Sequence, residues 1–262
     1  VSLDKSSLIG ISLAVGGILA GLLLEGGHMS QILQPTAAMI VFGGTLGAVM
    51  LQFPLPIILL AFRQLGSVFI RSQRDPQEMI GELVRYAQQA RREGIVSLDA
   101  ELPNIEDSVL KRSLMLAVDG TEAQELRNMM QLELDSRAEY EEQVPQVFES
   151  AGGFAPTIGI IGAVLGLIQV MQHLDKIDEV GKGIAVAFVA TIYGVGSANL
   201  LYLPMAGKMK LRIRDEQIVR EMTIEGVASI LEGMNPRMLE AKLLGFLAEA
   251  SQVEKSAEKV TQ

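Results

Sequence analysis

No cysteine occurs among the 262 residues, which excludes a disulfide framework, a thiolate metal site and a cysteine nucleophile. Histidine is nearly absent: His28 and His173 are the only two, at the outer ends of hydrophobic stretches and too scattered for a ligand cluster. A net charge of −9 with no block of Lys and Arg argues against a nucleic-acid partner. The most informative absence is local. Residues 6–24, 26–62, 150–174 and 183–207 contain no Asp, Glu, Lys or Arg at all, although 20% of the chain is charged. Each stretch reaches the length of about 20 residues that an α-helix needs to cross a hydrocarbon core. Even mixing of the charges would not leave such gaps, so the sequence describes a polytopic membrane protein. The first stretch lacks a small-residue cleavage site and is followed by a second hydrophobic segment, so it is expected to remain as a helix.

Those stretches also lack any carboxylate. Titrating groups inside a membrane mark ion pathways, so an ion-driven machine built on this chain must take its ion-carrying group from a partner. What remains in the spans is weakly polar: Thr36, Thr45, Thr157, Gln169, Thr191, Tyr193, Ser197, Asn199 and Tyr202. For most of these a bond back to the residue's own helix is the simpler expectation. Absence of a convergent acid, base or metal site argues against an enzyme.

What is present sets the topology. Arg63, Arg71 and Arg74 follow the second stretch and Lys208, Lys210, Arg212 and Arg214 follow the fourth, whereas the connection 25–34 has no basic residue. Short basic loops stay in the cytoplasm, which puts both termini and the long central segment on that side of the membrane. The second stretch is too long for one span: Pro54 and Pro56 leave Pro35 to Phe53 as the crossing and Leu55 to Leu65 as an interfacial elbow. The chain is thus expected to be all-α, dividing into 1–62 (two spans and the elbow), 63–149 (cytoplasmic helices), 150–207 (two more spans) and 208–262 (cytoplasmic tail).

Within the central segment, Asp75 and Pro76 predict a helix start, Met79, Ile80, Leu83, Val84 and Ala87 its apolar stripe, and Gly94 its stop. A second helix includes Val109, Leu110, Leu114 and Val118 and ends at Asp119-Gly120. Thr121 to Gln124 matches a capping box opening a long third helix, and nothing in the segment alternates like a strand. After the fourth span, 208–231 reads as its cytosolic extension, 236–250 as a short amphipathic helix and 251–262 as a frayed end. Gly17/Gly21, Gly43/Gly47 and Gly162/Gly166 form GxxxG pairs suited to close helix packing, within the chain or between subunits. Pro156 and Pro204 each remove a helical hydrogen bond inside a span and kink or loosen it.

Residues 34–47 (QPTAAMIVFGGTLG), 154–166 (FAPTIGIIGAVLG) and 187–194 (AFVATIYG), in this order and between two pairs of spans, strongly resemble the A subunit of the bacterial flagellar stator (MotA/PomA). The similarity runs from about Leu8 to Leu247. It implies a homopentameric ring around a dimer of a peptidoglycan-anchored B subunit (MotB/PomB-like), whose single membrane helix carries an ion-binding Asp. Ion flow past that Asp would turn the ring, whose cytosolic helices push the switch protein of the rotor's C-ring. Residues 90–99 (ARREGIVSLD) resemble the family segment whose charges meet the rotor, which implies a rotor contact at Arg91 and Asp99, with Arg92 next. Pro156 and Pro204 match two family prolines tied to conformational coupling, and Thr191 a threonine on the ion path. Sodium-type members carry Thr where this chain has Ala163, which favours the proton as coupling ion; no cofactor or metal is implied. The alternative within reach of the same motifs is an ExbB/TolQ-like energiser of outer-membrane processes, a group with three spans rather than four.

Overall fold

The computed structural model describes residues 2–71 and 75–260. Arg74 of the basic cluster and residues 261–262 of the expected frayed end lie outside them. Among the described residues the fold is helical apart from a two-residue antiparallel ladder, in which β1 (Ser2–Leu3) pairs with β2 (Ile70–Arg71) in the register Ser2↔Arg71. A ladder this short leaves the all-α expectation in place. The chain forms two compact units, each discontinuous in sequence: one from 1–72 and 142–211, the other from 73–141 and 212–262.

The first unit holds the apolar helices. α1 (Lys5–Leu24) is capped by Asp4, whose carboxylate accepts from the Ser7 N–H at 3.3 Å. None of its residues is buried. It stops where Gly26 takes φ +78°, with Gly27 N–H reaching back to the Leu22 carbonyl and Gly26 N–H to that of Leu23, a Schellman closure that only glycine adopts without strain. One turn of helix, α2 (Met29–Ile32), precedes the second crossing, made of α3 (Pro35–Ala38), a wide π turn over Met39–Gly43 and α4 (Gly44–Gln52). Phe53, before Pro54, turns extended at φ −118° and ψ 145°, as the proline ring demands of its predecessor. The elbow follows as α5 (Leu55–Gln64), burying Ile57, Ile58 and Ala61 against Val49, Val147, Phe148 and Met209. The expected crossing and elbow are therefore both present; the π turn inside the crossing is not something the sequence showed.

The second unit is a helical assembly around a large apolar core. α6 (Pro76–Glu93) starts as expected, the Asp75 carboxylate accepting from Gln77 N–H at 2.9 Å, and ends at Gly94 with φ +85°. A 3-10 segment (Ile95–Asn104) leads to α7 (Ser108–Val118), capped by Asp107 onto Leu110 N–H at 2.8 Å. The expected capping box fails at the next start. Thr121 N–H bonds to the Leu116 carbonyl and Gly120 N–H to that of Ala117, so Thr121 closes α7 as part of a Schellman motif. α8 (Ala123–Gln172) begins two residues later, with the Glu122 carbonyl accepting from Leu126 N–H at 2.9 Å. α9 (Ile177–Ser197), a second π turn (Ala198–Tyr202) and α10 (Leu203–Leu231) follow, and α11 (Pro236–Val260) runs ten residues beyond the Ala250 at which the sequence reading stopped it.

Two ion-pair networks tie α8 to α10 in this second unit. Arg127 grips Glu225 with Nε at 2.8 Å and Nη2 at 3.1 Å and reaches Glu232 at 2.7 Å, while Lys242 of α11 bonds to Glu225 and to the Ser229 hydroxyl. Arg220 grips Glu141 bidentately at 2.7 and 3.1 Å, helped by Arg137 at 2.9 Å. Burial by itself would raise the Glu141 and Glu225 carboxyls, but these cations outweigh it and lower both. Stability from the two networks is therefore fully present above the ordinary carboxylate range and is lost as pH falls below it, through the lowered values of the folded state.

Among the described residues, one buried side-chain polar atom has no partner: the hydroxyl of Ser113 on α7, whose residue is wholly buried, as are Leu110 and Leu114. An unsatisfied buried hydroxyl costs about 1–3 kcal/mol. Ser113→Ala is expected to stabilise the second unit, raising the melting temperature of the purified protein by a few degrees. A fall would mean that the hydroxyl has a bonding partner.

Candidate functional site

In the first unit α8 and α9 run antiparallel and meet along a seam of small residues. A Cβ on Gly194 would stand 2.5 Å from the Ala155 carbonyl oxygen, one on Gly162 2.8 Å from Ala190 Cβ, and one on Gly166 2.7 Å from the Gly183 carbonyl oxygen. Backbone touches backbone here, which is how helices gain contact in lipid, where no hydrophobic force drives them together. The other two GxxxG pairs are not used in this way: Gly17, Gly21, Gly43 and Gly47 have no atom within 4 Å of an added Cβ. Intrachain packing thus accounts for one pair of three, and the other two are open within the chain.

The seam fixes where the ion-path candidates lie. Gly162 touches Ala190, and Ala163 and Thr191 each follow one of these contact residues. A helix turns about 100° per residue; on antiparallel helices that step carries both residues to the same side of the seam. Ala163 is half-buried and Thr191 exposed. The Thr191 hydroxyl donates to the Ala187 carbonyl at 3.2 Å, leaving its oxygen able to accept from the exposed side. Thr45, Thr157 and Ser197 also donate to their own helices, at 2.6, 2.8 and 3.3 Å, in line with the simpler expectation for such hydroxyls.

Tyr193, named above only among the weakly polar residues of the spans, makes contacts that the sequence did not show. Its hydroxyl donates to the Ile32 carbonyl and accepts the Gln34 N–H at 3.3 Å, and its ring stacks on Phe42 with centroids 5.7 Å apart. Those backbone groups are the ones stranded by the break before Pro35, so Tyr193 pins the start of the second crossing to α9. A break before Pro35 and a phenol within the charge-free stretch 183–207 were the available signals, although Tyr202 carries the same one.

The two prolines behave differently. Pro204 follows directly on the π turn Ala198–Tyr202. Its ring would collide with the carbonyl four residues back, at Leu200, and it has no N–H to offer; the widened turn accommodates both problems. Asn199 Nδ2 helps by bonding to the Val195 carbonyl at 2.9 Å. Pro156 sits inside α8, which continues through it. The prolines are nevertheless linked, because Gly152, one turn before Pro156, lies against Leu203 and Tyr202, just before Pro204. Pro204 also lines a cavity of about 320 Å³ with Ser6, Gly10, Met205 and Lys208. Lys208 pairs with Asp4 at 2.5 Å and holds that carboxyl far below the usual carboxylate range.

In the second unit, Arg91 and Arg92 occupy the last turn of α6, where cations suit the helix dipole, and Asp99 sits on the 3-10 segment after Gly94. All three are exposed, and among the described residues none of them enters an ion pair. Arg127, Arg137 and Arg220, by contrast, are all engaged with carboxylates. Arg91 further rims a cavity of about 250 Å³ floored by Ala87, Ala90, Ile95, Ile230 and Met234. Among the described residues no group of three or more His, Asp or Glu converges as a metal site would require.

Comparison with known proteins places this architecture. Residues 8–94 match the motility protein A N-terminal family, and residues 101–222 the MotA/TolQ/ExbB proton channel family. Motility protein A of Bacillus subtilis is 39% identical over 250 residues, covering 94% of this chain and 91% of that protein. The solved flagellar MotAB stator complex of Bacillus subtilis superposes with a TM-score of 0.87 at 37% identity, covering 96% of this chain and 99% of that one. The C. jejuni MotAB structure gives 0.88 at 32% identity, covering 93% and 96%. The channel family alone would leave the TolQ/ExbB branch open, but the N-terminal match and near-full-length coverage select the motility branch. The chain belongs to the motility protein A family, the A subunits of bacterial flagellar stators.

Proposed function

We propose that this chain joins a membrane-anchored B subunit to form an ion channel, and that ion flow turns a ring of A chains, a homopentamer around a B dimer, against the rotor switch protein. The observation that carries this reading is the pair of charge-free stretches: 150–174 and 183–207 hold no titrating carboxylate, yet Ala163 and Thr191 share one accessible side of them. A helix bearing an acid, laid along that side, would complete an ion path that neither chain has alone. The solved relative that superposes here is itself a two-component MotAB stator complex. The role is that of a channel and torque subunit, not an enzyme, embedded in the inner membrane with both termini in the cytoplasm, as the basic flanks favour. Protons are the coupling ion in this reading, because Ala163 offers no oxygen to replace the hydration shell of sodium.

Reconstituted alone in vesicles, the chain is expected to pass neither protons nor sodium; with an activated B subunit it should pass protons. Each elementary charge crossing 100 mV releases about 2.3 kcal/mol, several times thermal energy. Thr191→Val, which keeps the shape and removes the hydroxyl, should slow rotation while the assembly stays intact, and rotation should not depend on external sodium. A robust current through the A chains alone, or rotation that collapses without sodium, would overturn the respective part of the reading.

A further inference from the structure

The cavity of about 320 Å³ beside Pro204 lies wholly within the first unit, between α1 and the stretch that runs from the second π turn into α10. From Ser6 to Ala14 on one side and from Asn199 to Lys208 on the other, its lining runs roughly 12 Å along each helix, less than half of a hydrocarbon core of about 30 Å. It therefore fits within one leaflet, the one next to the basic flank that begins at Lys208. The cavity exists because α1 is small where it faces this stretch. Gly10 and Ala14 leave the gap to Leu201 and Met205 unfilled, and a Cβ added to Gly10 meets nothing within 4 Å. Gly10, Asn199 and Pro204 are exposed, so the cavity opens sideways. Its inner walls are apolar apart from Asn199, whose Nδ2 is spent on the Val195 carbonyl at 2.9 Å. Its mouth is polar: Ser7 lines it, and Lys208 Nζ donates to the Asp4 carboxylate at 2.5 Å. An ammonium has three N–H donors, so that bond leaves two of them for another acceptor.

We propose that this cavity is a phospholipid site, in which the headgroup phosphate accepts from Lys208 at the mouth and one acyl chain lies inward past Gly10, Ala14 and Pro204. The site goes beyond the channel and torque reading and needs from it only that α1 and the α9–α10 stretch cross the membrane. Water is a poor occupant, because an enclosed water takes two to four polar partners and the inner walls offer only Asn199. An acyl chain supplies what the walls lack, which is contact on the open side. The headgroup follows from the charges. Basic segments at a membrane surface usually draw anionic lipid, but here the cation stands beside the Asp4 carboxylate, which repels an added net negative charge. A headgroup with an ammonium of its own, as in phosphatidylethanolamine, sets its phosphate on Lys208 and its ammonium towards Asp4. The opposite charges at the mouth thus match a zwitterion.

The test uses the complete A–B complex, reconstituted in vesicles with a trace of phosphatidylethanolamine that carries a diazirine on its acyl chain. On illumination, 6–14 and 199–208 should be labelled severalfold above 15–24, the outer part of α1, which reports ordinary contact with bulk lipid. Gly10→Leu fills the cavity without meeting backbone and should lower the labelling of 199–208 about tenfold, as displacing two buried methylenes does. Ala14→Leu, one turn deeper, should do the same and serves in its place if Gly10→Leu disturbs assembly. Lys208→Gln should lower labelling about two- to fivefold, the range of a partly exposed charge, and Lys208→Arg should keep most of it. The same diazirine on phosphatidylglycerol should label less than on phosphatidylethanolamine. Labelling of 199–208 no higher than that of 15–24, as when water or a neighbouring copy fills the gap, would overturn the site. Unchanged labelling in Gly10→Leu and Ala14→Leu would put the lipid outside the cavity and overturn it equally. Stronger labelling by the phosphatidylglycerol probe would overturn the zwitterionic headgroup. None of these readouts depends on ion flow or rotation, so a failure of the channel reading is seen separately.

Discussion

Gly194→Leu should prevent the chain from accumulating as a folded membrane protein. A Cβ at that position would lie 2.5 Å from the Ala155 carbonyl oxygen and 3.0 Å from Gly159 Cα, and neither is the movable tip of a side chain. The helices must separate along the seam, and contacts at Gly159, Gly162 and Ala190 are lost with them. Inserting bulk into a packed interior usually costs about 1–3 kcal/mol; a clash with backbone on both sides should exceed that range. In lipid no hydrophobic gain between helices offsets it. The comparison is Gly17→Leu, at which an added Cβ meets nothing within 4 Å, so the single chain should fold normally. Membrane yield and the elution profile in detergent measure both. Normal yield of Gly194→Leu would show that the seam is not close-packed. If Gly17→Leu instead folds but loses its partners, the open face of α1 is a contact between subunits.

Arg91→Glu is the second large effect, on torque rather than on folding. The side chain is exposed, is unpaired among the described residues and stands at the edge of an apolar cavity, so reversing it removes no internal ion pair. Two unit charges about 4 Å apart interact by about 1 kcal/mol in bulk water and about 4 kcal/mol at an effective dielectric of 20, and reversal changes attraction into repulsion of similar size. Motility should fall severalfold with unchanged membrane level and assembly, and a compensating reversal on the rotor should restore part of it, since such charges govern encounter and register. Lys111→Glu, an exposed reversal on α7, serves as the comparison and should do little. Full motility of Arg91→Glu combined with Asp99→Lys would remove both residues from the rotor contact.

Much of this was legible in the sequence, because a membrane forces composition into long charge-free blocks whose number and flanking charges need no tertiary information. The cap at Asp75, the stops at Gly94 and Gly120 and the elbow after Pro54 were equally readable, each being a property of a few adjacent residues; the cap at Asp107 was not read. The start of α8 was misread, because Thr121 has one N–H and the closure of α7 claimed it; which of two local motifs wins depends on both helices at once. The π turn before Pro204 and the uninterrupted helix at Pro156 show the same limit: a proline announces a missing bond, and its surroundings decide how the backbone absorbs it. Three GxxxG pairs looked alike in sequence, yet only the one facing α9 is packed within the chain. The same is true of the charges. Arg127 and Arg220 are no different in kind from Arg91, but carboxylates distant in sequence reach the first two and none of the described ones reaches the third. By itself the sequence determined membrane insertion, helix content and the absence of an internal ion carrier, because these follow from residue type and local order. Only the tertiary structure decided which small residues touch, which hydroxyls remain able to accept, and which charges stay free for a partner, because each of those depends on distances between segments far apart in the chain.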